Sequence, residues 1–328
     1  MVGLTVVLGV SLLGSAQAQD LKNVPGPWEN HMVSLAGRGD KGRDLAVHLL
    51  EAGPRDGEPV VLVHGFPDFS YGWRAVIPLL SDEYRVYAPD LRGYAGTDRA
   101  RKGYDVAGLS ADLLSLLDAL AREDGWPAGA RVHLMGHDWG ATVGWRAVSD
   151  APDRFASWTA LDVPPLRTLL DAMEASPEQR RYRRFLAQLV SPFSPFILAA
   201  YRGERRAEVF YREELVHDEA LSPEDMPWYE AAFDQRADTI GPIKLYRQIV
   251  FHQRSARHDA ETAAKVEVPT LVLWGAQDHY MLSPMAAQSC QQVSARCESE
   301  VFPDAGHYLQ WDAPEAVVAR WHRFVADL

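Results

Sequence analysis

An aspartate occupies the centre of a turn flanked by glycines in the segment "GHDWG", residues 136–140. The apolar run "RVHL" before it is typical of a strand, and a helical pattern follows it. Gly136 and Gly140 lie two residues before and two after Asp138, which allows a tight turn that presents the central side chain above the edge of a sheet. Hydrolases with this pattern usually carry a serine nucleophile at the central position. The pattern therefore predicts that Asp138 is a nucleophile.

Two later segments contain residues that could assist this nucleophile. Asp278 follows the apolar run "LVLWG", and His307 lies in "PDAGHYLQWDAPE", just before the last helical pattern. The chain order nucleophile, acid, histidine is that of a catalytic triad in which the acid orients the histidine. Asp162 in "ALDVPP" is an alternative acid, because it also follows a strand. The non-catalytic alternatives are a helix cap at Asp278 and an ordinary surface histidine at His307.

A loop after another predicted strand, "VHGFPDFSYGW" at 63–73, supplies a fourth element. Such a loop can direct the backbone N–H of Phe66 toward the nucleophile. Together with the backbone N–H of Trp139, it would form an oxyanion hole. We assign Phe66 and Trp139 as oxyanion-hole donors that also border the substrate.

The choice of a carboxylate restricts the reaction. A carboxylate is already anionic at neutral pH and needs no base before it attacks. Attack on a carbonyl carbon would give an anhydride, whereas attack on a saturated carbon gives a stable ester on Asp138 itself. His307 could then activate water against that ester. The sequence thus predicts a cofactor-independent reaction on an electrophilic saturated carbon, as in an epoxide or an alkyl halide.

Short apolar runs alternate with longer helical patterns, which predicts an α/β fold with a mostly parallel sheet flanked by helices. The alternation stops after Val163 and resumes near "VEVPTLVLWG". We predict a core of residues 19–163 and 266–328, with a helical lid, 164–265, inserted after the sixth strand. The strand candidates are 44–53, 59–65, 84–90, 131–136, 155–163, 270–275 and 298–303, and the clearest helical patterns are 110–123 and 314–328.

Charge and the N-terminus bear on partners and location. A formal charge of −12 argues against a nucleic-acid partner. Residues 1–18 resemble a signal peptide, with an apolar stretch shorter than the roughly 20 residues that span a bilayer and an A-x-A pattern at Ala16 and Ala18. We predict cleavage after Ala18, export without a stable membrane anchor, and a disulfide between Cys290 and Cys297, because an oxidising compartment favours pairing.

Four segments together resemble the epoxide hydrolase and haloalkane dehalogenase branch of the α/β-hydrolases. They are "EAGPRDGEPVVLVHGFPDFSYGWRAVIPLL", "YRVYAPDLRGYAGTDR", "GHDWGATVGWRA" and "DAGHYLQWDAPE". The resemblance covers nearly the whole chain after the signal peptide. It implies the α/β-hydrolase fold, with the family's nucleophile on Asp138, its histidine on His307 and its acid on Asp278.

The resemblance also implies tyrosines in the lid that donate to the epoxide oxygen. Tyr246 in "IKLYRQ" resembles the segment that carries one of them, although Leu245 stands where the family has tryptophan. Tyr182 in "RYRRFLAQL" is the second candidate, one position from the register that best fits the family, with Tyr201 as the fallback. A tyrosine suits this role because its pKa of about 10 keeps it a donor at neutral pH.

The halide alternative depends on side-chain N–H donors. The loop residue Phe66 has none, while Trp139 follows the nucleophile and Trp228 in the lid could act as a second donor. Fluoroacetate dehalogenases place an arginine where this chain has Trp139.

We predict an exported hydrolase that converts a small apolar epoxide to a vicinal diol. The alternatives are a haloalkane or haloacid dehalogenase, a non-catalytic secreted binding protein and an ester hydrolase. The sequence is also compatible with a homodimer.

Overall fold

A computed structural model of the chain describes residues 19–179, 215–217, 220–232, 243–247 and 265–328. The predicted signal peptide, 1–18, and the candidate Tyr182 lie outside the described residues. So does much of the predicted lid, 164–265, whose boundaries stay a prediction.

Eight strands form one sheet in the order β1-β2-β4-β3-β5-β6-β7-β8. Strands β1 and β2 are antiparallel to each other, and β2 is antiparallel to β4; all the other neighbours are parallel. The strands are β1 (Glu29–Leu35), β2 (Leu45–Ala52), β3 (Glu58–Val63), β4 (Tyr84–Pro89), β5 (Val132–His137), β6 (Phe155–Leu161), β7 (Thr270–Gly275) and β8 (Cys297–Phe302). The predicted mostly parallel α/β sheet is confirmed; β1 was not predicted.

From β3 onward, at least one α-helix of the described residues follows each strand. These α-helices are α1 (Ile77–Leu80), α2 (Val106–Glu123), α3 (Trp139–Asp150), α4 (Leu166–Ala175), α5 (Met226–Ala232), α6 (Pro284–Ser289), α7 (Leu309–Asp312) and α8 (Pro314–Val325). Residues 243–247 are also helical. Helix α2 begins where the Asp105 carboxylate accepts a hydrogen bond from Gly108 N–H at 2.8 Å, an N-cap that satisfies a free backbone donor. In the described part of the chain, no helix combines the length and apolarity needed to cross a membrane.

Helices cover both faces of the sheet. On one face, His133 of β5 bonds to Ser157 of β6 at 2.7 Å and packs edge-on against Trp321 of α8. The next residue of β6, Trp158, points to the opposite face because strand side chains alternate, and there it packs against Trp145 of α3. With both faces covered, the residues of the central strands β3 to β7 are almost all buried, as expected for parallel strands.

The carboxyl ends of the parallel strands carry the polar residues that the sequence singles out. Asp138 directly follows β5, Asp162 follows β6, and Asp278 follows β7 after two residues. Ligands of open α/β sheets bind at this edge. The topology therefore places the three aspartates where a ligand would bind. Away from it, a disulfide joins Cys290 to Cys297 at the start of β8, as predicted.

Candidate active site

The turn from β5 into α3 holds Asp138 in an unusual conformation. Its φ is 50° and its ψ is −115°, in a region that non-glycine residues rarely occupy. The flanking glycines make the turn sterically feasible. A Cβ at Gly136 would collide with the carbonyl of Gly140, and one at Gly140 would collide with the carbonyl of Val63. The strained turn thus presents the carboxylate at the sheet edge, the arrangement of a nucleophile elbow.

The loop after β3 supplies a donor to this carboxylate. The backbone N–H of Phe66 donates to Asp138 Oδ1 at 2.7 Å. Gly65 lets the loop approach, because a Cβ there would collide with the Asp138 side chain. The second predicted donor, the N–H of Trp139, lies next to Asp138 at the start of α3 but makes no bond to its carboxylate. Of the two predicted oxyanion-hole donors, the N–H of Phe66 therefore forms a hydrogen bond with the Asp138 carboxylate.

His307 and Asp278 form a buried pair beside the nucleophile. The imidazole Nδ1 lies 2.8 Å from Asp278 Oδ2. The other oxygen, Asp278 Oδ1, accepts the backbone N–H groups of Tyr280 at 2.7 Å and Met281 at 2.9 Å. Three hydrogen bonds fix the position of this carboxyl group, so Asp278 is placed to orient the histidine.

The other imidazole nitrogen faces the nucleophile. His307 Nε2 lies 3.7 Å from Asp138 Oδ2, an ion pair too long for a direct hydrogen bond. Burial by itself raises the pKa of Asp138, but His307 and the N–H of Phe66 bring it below its ordinary value. Burial lowers the pKa of His307, but Asp278 and Asp138 raise it well above its ordinary value. The raised pKa of His307 thus favours an imidazolium, which lies between the side chains of Asp138 and Asp278.

Asp162, the alternative acid, has a different partner. Its Oδ1 accepts the backbone N–H of Gly275 at 2.7 Å, while its Oδ2 has no hydrogen-bond partner within the described parts of the chain. Burial and the neighbouring negative charge of Asp278 raise the pKa of Asp162 well above its ordinary value. The structure therefore pairs the imidazole with Asp278, and the raised pKa of Asp162 favours its neutral, protonated form.

Two residues next to the nucleophile, Phe66 and Trp139, have rings that contact a third aromatic ring. The Tyr246 ring packs edge-on against Trp139 at 4.9 Å and against Phe66 at 5.5 Å between centroids. The indole Nε1 of Trp139 is buried and has no hydrogen-bond partner among the described residues. Tyr246 is thus brought to the predicted site, whereas Trp228 on α5 makes no ring contact with these three residues.

Two buried polar residues of this region were not predicted. His137, next to the nucleophile, lies 2.7 Å through Nε2 from the backbone oxygen of His307. Gln310 on α7 lies 3.2 Å through its amide nitrogen from Nδ1 of the same ring. Each looks like an ordinary residue of a strand or a helix in the sequence, and only the folded chain joins them. Among the described residues, no group of three or more His, Cys, Asp and Glu side chains could hold a metal ion.

Comparison with known proteins agrees with this architecture. Residues 58–314 match the family model described as "alpha/beta hydrolase fold". The chain is 30% identical over 319 residues to "Epoxide hydrolase A" of Mycobacterium tuberculosis, covering 87% of this chain and 95% of that protein. It is 27% identical over 305 residues to "Epoxide hydrolase 2" of Caenorhabditis elegans, covering 92% and 81%.

Solved structures share the fold. The crystal structure of wild-type Cfl2 from Burkholderia cenocepacia matches with a TM-score of 0.77 at 26% identity, covering 91% of this chain and 96% of that one. A Bacillus megaterium epoxide hydrolase in complex with an inhibitor also matches with a TM-score of 0.77, at 20% identity, covering 86% and 97%.

The chain belongs to the α/β-hydrolase fold family. It is a hydrolase, and its relatives place it in the branch of that family that includes epoxide hydrolases.

Proposed function

We propose that the protein hydrolyses epoxides to vicinal diols through an ester on Asp138. The observation that carries the proposal is one carboxylate, presented at the sheet edge by a strained turn, between the N–H of Phe66 at 2.7 Å and the imidazole of His307 at 3.7 Å. The relatives named epoxide hydrolase support the reaction class.

In the first step, Asp138 Oδ2 attacks a ring carbon of the epoxide. The new C–O bond forms as the C–O bond of the strained ring breaks, and the released oxygen takes a proton from a tyrosine. The product is a β-hydroxyalkyl ester in which Oδ1, held by Phe66, becomes the carbonyl oxygen. A pKa below the ordinary value keeps the Asp138 carboxylate anionic and ready to attack.

In the second step, water hydrolyses the ester. Esterification removes the negative charge from Asp138, which is one of the two charges that raise the pKa of His307. The pKa of the imidazole then falls, so the imidazolium gives up its proton, which restores the tyrosine hydroxyl, and the neutral ring can accept a proton from water as it attacks Cγ of Asp138. The tetrahedral oxyanion lies against Phe66 N–H, with Trp139 N–H as the second proposed donor. Collapse breaks the bond between Cγ and the alkyl oxygen, which takes the remaining proton of the added water. The diol is released, and Asp138 is a carboxylate beside the imidazolium again.

Tyr246 is the proposed proton donor in the first step. Its ring lies against Phe66 and Trp139, the two residues that flank the nucleophile. Tyr182 is the second proposed donor and lies outside the described residues. The aromatic side chains around Asp138 favour a small apolar epoxide, since they offer apolar area and few charges.

A trapping experiment tests the mechanism. The variant His307→Gln should alkylate but not hydrolyse, because the base of the second step is missing. After incubation with styrene oxide, mass spectrometry should find the epoxide mass added to the peptide that contains Asp138. The matched control is the double variant with Asp138→Asn, which should remain unmodified. An unmodified Asp138 peptide in the single variant, with activity present in the parent protein, would contradict the proposal.

An isotope measurement separates this route from direct attack by water. In a single turnover in heavy-oxygen water, the first diol should contain light oxygen, because the new hydroxyl oxygen comes from Asp138. Heavy oxygen in that first diol would indicate that water attacks the ring directly.

Haloalkane dehalogenation is a second candidate, favoured by one observation. The buried indole N–H of Trp139 lacks a hydrogen-bond partner among the described residues and could hold a departing halide. Halide release from 1-halobutanes, compared with turnover of styrene oxide, decides between the two. Faster turnover of the halide would replace the epoxide proposal.

We also propose that the protein is exported. The predicted signal peptide and the Cys290–Cys297 disulfide support this, because disulfides persist in oxidising compartments. N-terminal sequencing of the protein made in its own host should begin after Ala18. A chain that begins at Met1 and carries two free thiols would contradict export.

A further inference from the structure

His137 directly precedes the nucleophile and has no role in the two chemical steps. Its side chain is fully buried. Its Nε2 lies 2.7 Å from the backbone oxygen of His307, which is 170 residues further along the chain. The two imidazole rings also pack together, with 4.9 Å between centroids.

The partners of His137 determine where its proton lies. A backbone carbonyl can only accept a hydrogen bond, so Nε2 must carry a hydrogen and donate it to His307. The amide nitrogen of Gln310 can only donate, and it lies 3.2 Å from Nδ1, which must then be the acceptor. Burial, together with the charge of His307, lowers the pKa of His137 to about 3. The ring is therefore a neutral imidazole in a single tautomer.

Other hydrogen bonds hold residues 303–307, the loop that contains His307, to different elements of the fold. Gly306 N–H donates to Asp312 at 2.8 Å, and Gln277 N–H donates to Ala305 O at 2.9 Å. Those bonds attach the loop to α7 and to the turn after β7. The bond from His137 instead attaches the backbone of His307 to the strand that ends at the nucleophile.

We propose that His137 is a positioning residue that sets the distance between His307 and Asp138 through its Nε2–H. The proposal rests on the two-step mechanism above. It predicts a selective effect, because only hydrolysis of the ester needs a well-placed imidazole. Alkylation uses a carboxylate that is already anionic and is held by Phe66.

The test measures the two steps separately in full-length variants. His137→Leu removes the donor, while His137→Gln retains an amide N–H at a similar reach. With styrene oxide, rapid-quench mass spectrometry should give a hydrolysis rate at least about 30-fold lower for His137→Leu, with alkylation changed less than about 5-fold. Alkylated enzyme should therefore accumulate. His137→Gln should recover at least about 10-fold of the lost hydrolysis rate.

A matched control comes from the same strand. His133 is also a buried histidine of β5, bonded to Ser157 on the face that packs against α8. His133→Gln should leave the ratio of the two rates unchanged, even if it lowers stability. Equal slowing of both steps in His137→Leu, or hydrolysis at the parent rate, would overturn the positioning role.

A second measurement needs no variant to fold well. In the parent protein labelled with ¹⁵N-histidine, the His137 ring should remain neutral, with its proton on Nε2, from pH 5 to pH 8. A proton on Nδ1, or titration in that range, would overturn the proposal. Failure of the mechanism itself is distinguishable, since then His307→Gln would also form no adduct on Asp138.

Discussion

The two halves of the candidate site are held together by different forces. On the sheet side, hydrogen bonds of 2.7 and 2.8 Å connect Asp138 to Phe66 and His307 to Asp278. On the other side, Tyr246 meets the sheet side through edge-on ring contacts at 4.9 and 5.5 Å. Hydrogen bonds weaken steeply with distance and angle, whereas edge-on aromatic pairs contribute about 0.5–1.5 kcal/mol over a broad range of geometry.

This difference suggests a division of labour. In the proposed mechanism, the sheet side must place charges to within tenths of an ångström, because that mechanism needs an anion, a base and an N–H donor in fixed positions. The proposed role of Tyr246, to offer a hydroxyl to the epoxide oxygen, makes a weaker demand on geometry. The predictions below test that division, starting with the largest expected effect.

Asp138→Asn should abolish turnover, with a loss of at least about 1,000-fold, because a neutral amide cannot form the alkyl ester. The measurement is diol formation from styrene oxide, with the midpoint of urea unfolding as the control for folding. Residual activity within about 10-fold of the parent would show that the reaction does not need the Asp138 carboxylate.

Asp278→Asn should lower turnover by about 100- to 10,000-fold, because His307 loses the charge that orients and balances it. It should also shift the acid limb of ester hydrolysis to lower pH. The sign follows from the charges: Asp278 raises the pKa of His307, the ring acts as a base only above its pKa, and loss of the charge lowers that pKa. An acid limb that stays in place or moves to higher pH would contradict this pairing.

Tyr246→Phe should slow alkylation by an epoxide by about 10- to 100-fold, since one donor to the departing oxygen is lost while the ring contacts remain. The step is measured by adduct formation in the His307→Gln background. Tyr229→Phe is the matched control; its hydroxyl accepts from Arg74 at 3.0 Å, and its ring packs against Phe69 and Trp311. An equal effect of both variants would contradict proton donation by Tyr246 and leave it a role in packing alone.

Replacement of both cysteines, Cys290→Ser with Cys297→Ser, should lower the free energy of unfolding by about 2 to 3 kcal/mol, because a short loop in the unfolded chain is no longer closed. Turnover should stay within about 2-fold, since the disulfide lies away from the site. Urea unfolding of the parent with and without reductant is the control. A large loss of turnover without a loss of stability would mean that this edge of the sheet affects the site.

Asp162→Asn should have the smallest effect, a change in turnover of less than about 3-fold. A neutral acid and an amide have nearly the same shape, and both can accept from Gly275 N–H. The pH profile sharpens the comparison. If Asp162 were ionised, its removal would lower the pKa of His307 and move the acid limb, whereas a neutral Asp162 leaves that limb in place.

Much of the fold could be predicted because its signals are local. The strand predicted at 59–65 is β3, Glu58–Val63, and the helix predicted at 110–123 lies within α2, Val106–Glu123. Strand β1 was missed because it is an edge strand in which only Val33 and Leu35 are buried. An apolar run marks a strand covered on both faces, and β1 has no such run.

The sequence by itself determined which residues are candidates for nucleophile, acid and base. The glycine-flanked turn that presents Asp138 is a property of one short segment, and the order of Asp278 and His307 after it is read directly along the chain. Only the tertiary structure decided that His307 pairs with Asp278 rather than Asp162, and that His137 reaches the backbone of His307. Those contacts depend on distances between residues that are far apart in the chain. The close packing of the strands sets these distances, whereas a local sequence pattern does not.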